Sequence, residues 1–221
     1  NERKTENIHD SIWAGPYQTF IEEGKLRLVS HPSKAMGIQV ERIYSLEENQ
    51  PVLHVKQRMS NISNTVVEYC FWTRTLLPAG GVYYCKAIPD SQYPLGFSEI
   101  SLSADTLIPS HHWQERVHVE NDYFTAFPGG DEQKKYGINT TNGIYFYQFN
   151  DYLYIKQNKY IPHGKYDNNL QVCFPNMIYF NDNFLEMEPN SPMVRLKPGE
   201  TYEYEEIWTL RELNPIGDNT Y

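Results

Sequence analysis

Along VLHVKQRM, residues 52–59, Leu53, Val55 and Met59 alternate with His54, Lys56 and Arg58. This is the period of an extended strand, whose successive side chains point to opposite faces. In YEYEEIW, residues 202–208, Glu203 and Glu205 fall on one face and Tyr202, Tyr204, Glu206 and Trp208 on the other. A cationic face on one strand and an acidic face on the other suit cross-strand ion pairs, or a solvated sheet face of mixed charge.

The same pattern, short runs of β-branched and aromatic residues between turn dipeptides, predicts strands at Leu26–Ser30, Gly37–Leu46, Pro51–Ser60, Thr65–Leu76, Gly81–Ala87, Ile144–Phe149, Tyr152–Lys159, Leu170–Phe174, Phe184–Glu188 and Thr201–Leu210. Asn150-Asp151, between IYFYQF and YLYIK, suits a tight hairpin turn. In LKPGETY, Pro198 presets one turn angle and Gly199 takes positive φ, joining Met193–Leu196 to the last strand. Only Ser91–Leu95 and a few loop segments are expected to form a helical turn. Residues 89–142 read as the least regular stretch, with edge strands in VHVENDYFTAF and long connections of the kind that carry binding groups. The expected fold class is all-β and antiparallel, as a single domain over residues 1–221 with tails at 1–12 and 214–221.

Composition narrows the partners. With 40% hydrophobic and 14% aromatic residues, the chain can form a real core, and no apolar run approaches a membrane span. A net charge of −9 without a basic run argues against nucleic acid and acidic lipid surfaces. Cys70, Cys85 and Cys173 show no metal-ligand spacing and are expected as free thiols. No metal or other cofactor is expected. The opening NERKTENIHDSIW has no apolar leader core, so the chain is cytoplasmic or has lost a leader and belongs to a periplasmic or secreted protein. Asn61 and Asn139 match the weak N-x-S/T glycosylation pattern.

No nucleophile-elbow, phosphate-loop, dinucleotide or zinc-protease motif is present, so carboxylates, histidines and aromatics remain as candidates. Alternation puts Glu186 and Glu188 on one strand face, with Leu185 and Met187 on the other. Two close carboxylates share a proton, a cation or a hydroxyl-rich ligand, or else face water. His111-His112 before Trp113 and His163 in a Pro-His-Gly turn lie in loops, where an indole beside an imidazole suits a sugar as well as plain packing. The 18 tyrosines fit an aromatic-lined cleft or simple β-propensity.

The order FLEMEP, SP and LKPGETYEYEEIWTL resembles the C-terminal signature of the galactose mutarotase-like superfamily. GIQVERIYSL, RMSNISNTVVEYCFWTRTLLPAGG, DYLYIKQNKYIPHGKYDNN and YFNDNFLEMEP look, more narrowly, like one uncharacterised bacterial family within it, over about Trp13 to Leu213. The resemblance implies an antiparallel β-supersandwich, here without several N-terminal strands, that carries a sugar cleft on a concave sheet. It also implies that Glu186 stands where aldose 1-epimerases hold their general base. The position of their histidine acid falls in FWTRTLLPAGG, where Trp72, Thr73 and Arg74 stand instead. Neither threonine nor a permanently charged arginine donates a ring proton as histidine does.

The expected function is therefore carbohydrate recognition, with a sugar or sugar acid bound by Glu186, Glu188, Arg74, Trp72, Lys156, Trp113, His112 and His54. One alternative is a sugar epimerase-like isomerase with Glu186 as base and His54 or His112 as acid. Another is a non-catalytic protein-interaction domain whose concave sheet holds another protein, a neighbouring domain or an N-terminal segment outside the chain.

Overall fold

The computed structural model describes residues 12–13, 15–90, 92–103, 106–109, 115–131, 133–162, 164–166 and 174–213. Its elements there are β-strands, all paired antiparallel wherever a register is defined. They run β1 (Tyr17–Glu22), β2 (Lys25–Ser30), β3 (Ile38–Leu46), β4 (Val52–Asn61), β5 (Val67–Tyr69) and β6 (Thr75–Pro78). Next come β7 (Val82–Lys86), β8 (Phe97–Ser101), β9 (Thr106–Pro109), β10 (Val117–Glu120), β11 (Tyr123–Ala126) and β12 (Lys134–Ile138). The last six are β13 (Ile144–Phe149), β14 (Tyr152–Asn158), β15 (Asn176–Phe180), β16 (Phe184–Pro189), β17 (Val194–Leu196) and β18 (Thr201–Glu212). The chain divides into two compact units, one of Asn1–Cys70 with Met193–Trp208, the other of Phe71–Pro192 with Thr209–Tyr221.

In the first unit β1, β2, β3, β4 and β18 lie side by side, and β5 pairs with β17. The alternation of β4 is realised. Val55, Gln57 and Met59 are buried, and the opposite face is charged: Lys56 Nζ reaches Glu203 at 3.0 Å and Glu205 at 3.2 Å, and Arg58 Nε reaches Glu203 at 2.6 Å. Buried Asn61 ties the turns together. Its amide nitrogen donates to the carbonyls of Thr65 (2.7 Å) and Leu196 (2.9 Å), and its oxygen accepts from the Ser63 backbone N–H (2.9 Å). The glycosylation match at Asn61 is thus a buried structural amide. Lys197–Glu200 forms the expected turn, closed by Glu200 N to Lys197 O at 3.0 Å with Gly199 at φ 79°.

The second unit is a two-layer sandwich. One layer runs β14, β13, β7, β11, β10, and the other runs β6, β16, β15, β12, β8, β9. Between them lie Tyr83, Cys85, Phe124, Tyr145 and Tyr147 from the first layer, and Phe97, Tyr136, Ile178, Phe180, Leu185 and Met187 from the second. Many tyrosines are therefore core residues. The Asn150-Asp151 hairpin is present, with Asn150 at φ 50° and Phe149 opposite Tyr152.

Three sequence readings change. The strand expected over Thr65–Leu76 is two, β5 and β6, which pair with different partners, β17 and β16. Between them Pro189, which has no N–H to give, interrupts the ladder beside Thr73. The stretch 89–142 holds β8, β9 and β12 besides the expected β10–β11 hairpin, and Asn176–Phe180 forms β15, which was not anticipated. Ser91 and all but the last residue of Leu170–Phe174 lie outside the described residues, as do both expected tails apart from Ile12.

Candidate functional site

The site grows from the outer face of the second layer. Because β16 alternates, Leu185 and Met187 enter the core, and Glu186 and Glu188 point the other way. Register then decides their neighbours. Glu186 sits opposite Leu76 on one side and Tyr179 on the other, and Tyr179 sits opposite Lys135 of β12. Trp72 bridges to Asn190, so the segment before β6 runs alongside both carboxylates.

Glu188 is fully buried. Its Oε2 accepts from the Trp72 indole N–H at 2.9 Å and forms an ion pair with Lys135 Nζ at 3.3 Å, and its Oε1 has no hydrogen-bond partner. Burial pushes the Glu188 carboxyl up to about 7. The Lys135 ammonium pulls against that shift, the hydrogen bond and charge of Glu186 add to it, and the Trp72 donor opposes it. Since an ionised carboxylate only accepts, a hydrogen bond between Glu186 and Glu188 requires a proton between them.

Glu186 is the more accessible of the two carboxylates, with 13% of its side chain exposed against 38% for Arg74. Arg74 Nη1 lies 3.3 Å from Glu186 Oε1 and 3.4 Å from Oε2, a one-nitrogen contact without the fork geometry of a tight guanidinium–carboxylate pair. The Arg74 guanidinium and the Lys135 ammonium lie 5.1 Å and 5.0 Å from the Trp72 ring. The arrangement is a buried carboxyl pushed up towards neutrality, a more accessible carboxylate on the same strand face, an exposed guanidinium, and an indole that both cations approach.

The structure brings together Glu186, Glu188, Arg74 and Trp72 from the expected set. Lys156 does not join them at the surface. It is fully buried on β14 opposite core Tyr145, where its ammonium donates to Thr75 Oγ1 at 3.1 Å and Thr73 Oγ1 at 3.3 Å. His54 belongs to the first unit, on the charged face of β4, with Glu47 Oε1 at 2.7 Å. His112 and Trp113 lie outside the described residues, as do His111 and His163. Lys135 was missed because KKYGI, between Gly-Gly-Asp and Asn-Thr-Thr-Asn-Gly, read as part of a long connection.

No family model matches the sequence, and no curated protein matches it. Solved structures do. A candidate aldose 1-epimerase from Escherichia coli K12 aligns with a TM-score of 0.64 at 15% identity, over 91% of this chain and 70% of that one. A galactose mutarotase-like protein from Lactobacillus casei ATCC 334 gives 0.59 at 8% identity, over 88% of this chain and 73% of that one. A GalM/aldose epimerase homologue from C. elegans gives 0.56 at 9% identity, over 90% and 69%. At such identities the likeness is one of fold: the chain has the galactose mutarotase-like all-β fold.

Proposed function

We propose that the chain binds a sugar or sugar acid on the outer face of the six-stranded layer, with Glu186, Glu188 and Arg74 as its polar contacts, and that it is a poor aldose epimerase. The observation that carries this reading is the carboxyl pair, one member buried near neutrality and the other accessible beside an exposed arginine. Carboxylate oxygens accept from sugar hydroxyls, and the exposed Arg74 guanidinium can donate to a ligand hydroxyl or carboxylate. The names of the fold's neighbours, epimerases and mutarotase-like proteins, support a sugar over other hydroxyl-rich ligands.

Weak epimerisation follows from the donors on hand. Where the resemblance puts a histidine, Trp72, Thr73 and Arg74 supply an indole N–H, a hydroxyl and a guanidinium, none of which gives up a proton near pH 7. Losing one positioned proton donor costs about 10²–10⁴ in rate. The Glu188 carboxyl supplies a second reading, since an acid pushed up to about 7 beside a second carboxyl group can serve as a proton donor in its own right. Calorimetric binding with NMR anomer exchange of glucose, galactose and galacturonate separates the two, measured on the parent and on Glu186→Gln. Binding with slow exchange is the expected result. Rapid exchange abolished by Glu186→Gln establishes the enzyme, and no binding across a broad sugar panel removes the site.

A further inference from the structure

The two oxygens of Glu188 are not equivalent. Oε2 is held from opposite flanks, by a hydrogen bond from the Trp72 indole on the segment before β6 and by an ion pair with the Lys135 ammonium of β12. Oε1 is equally buried and has no donor. Lys135 is itself nearly enclosed, with 9% of its side chain exposed, and its ammonium also lies near the Trp72 ring. A lysine held between a buried carboxylate and an indole has few other geometries open to it, so it fixes the carboxyl plane as well as its charge.

We propose that Lys135 is a positioning residue. With Trp72 it pins Glu188 Oε2, so that Oε1 is the oxygen left to accept from a bound hydroxyl. The assignment of Oε1 to the ligand rests on the sugar-site reading above; the role of Lys135 toward Glu188 does not. The groups facing this carboxyl are Glu186 on β16, Arg74 and Trp72 on the segment before β6, Tyr179 on β15 in the row between Glu186 and Lys135, and Lys135 itself. Lys135 is the cation in direct contact with Glu188, so its removal leaves the ionised form with the indole N–H alone and the proton stays on to higher pH.

The test follows the Glu188 carboxyl carbon by ¹³C NMR in the sugar-free protein, assigned with Glu188→Gln. The parent titrates near 7. In Lys135→Met the midpoint rises by about one pH unit or more, the size expected on losing an opposite charge within contact distance, and in Lys135→Arg it stays near the parent's. Where Lys135→Met does not fold, Lys135→Gln, which keeps a donor without charge, takes its place. An unchanged midpoint in the uncharged variant overturns the proposal. In the second arm, affinity of the uncharged variant for the tightest sugar of the panel falls at pH 7 by about tenfold or more and recovers as pH is raised. A loss that does not recover with pH overturns the assignment of Oε1. A parent that binds no sugar removes the proposed function, and the carboxyl titration still decides Lys135.

Discussion

Replacing Glu188 by glutamine isolates the energetic cost of the buried carboxylate. In the folded protein this group titrates near 7 against an ordinary 4.5, chiefly because burial penalises its charge. Below pH 4.5 it is protonated in both folded and unfolded chains and its titration contributes nothing. Between 4.5 and 7 the folded state binds more protons, so stability falls as pH rises, and above 7 the whole penalty is present. At about 1.4 kcal/mol per pH unit, that gap is on the order of 3 kcal/mol. A glutamine amide has nearly the shape of the protonated acid, and its oxygen can accept from Trp72 and Lys135, so Glu188→Gln behaves like the parent held in its low-pH form. Urea unfolding followed by circular dichroism, at pH 5 and pH 8, provides the measurement. The parent should lose on the order of 3 kcal/mol more than the variant between the two pH values, so the variant gains relative stability as pH rises. A difference between the two proteins that stays constant from pH 5 to pH 8 would refute the reasoning, because it would mean that Glu188 is ionised throughout.

Two further outcomes test the packing around the site. Gly137 lies on β12 opposite Met177, and a Cβ there would sit 1.9 Å from Phe174 Cδ2, so Gly137→Ala should destabilise by about 1–3 kcal/mol or more in thermal unfolding; an unchanged melting temperature would contradict the position of the Phe174 ring. Burial pushes the Cys85 thiol up to about 12, which leaves roughly one thiol in ten thousand ionised at pH 8, so iodoacetamide should leave the Cys85 peptide unmodified in the native protein and alkylate it in denaturant, and rapid native labelling would refute its burial.

Much of the fold is legible because its strands alternate cleanly. β4 and β18 expose their charged faces and bury the others, and the turn at Pro198-Gly199 and the hairpin at Asn150-Asp151 follow from residues that accept those backbone angles. The acid-rich strands likewise have separate local answers. Glu203 and Glu205 meet Lys56 and Arg58 on a solvated face, and Glu206 is buried and accepts from the Trp208 indole at 2.9 Å. Such exposed ion pairs contribute about 0–1 kcal/mol each, so they decide register and solubility more than stability.

The carboxyl pair was legible as a pair and illegible as a site. Period-2 alternation places Glu186 and Glu188 together, yet it is silent on which one is buried, because that is decided by other segments, some near in the chain and some as distant as Trp72, 116 residues from Glu188. β12 brings Lys135 and β15 brings Tyr179, and the sequences of both escape a local reading: KKYGI opens on two charges and carries a glycine, and NMIYF follows a Phe-Pro that reads as the end of a strand. The glycine is where that local reading fails. A strand glycine lowers β-propensity, but Gly137 stands where the Phe174 ring needs room on the same face as Glu188. What weakens the strand in isolation makes space for the Phe174 ring, which packs with Ile100 and Met177. Lys156 fails in the opposite direction. A lysine flanked by Ile155 and Gln157 in a strand should turn outward, but it faces the same side as Tyr145, where the hydroxyls of Thr73 and Thr75 meet its ammonium. Those threonines flank Arg74, so the segment that presents a guanidinium to Glu186 is anchored from beneath by a buried lysine, and the site's one exposed cation is held in place by a second that a ligand does not reach.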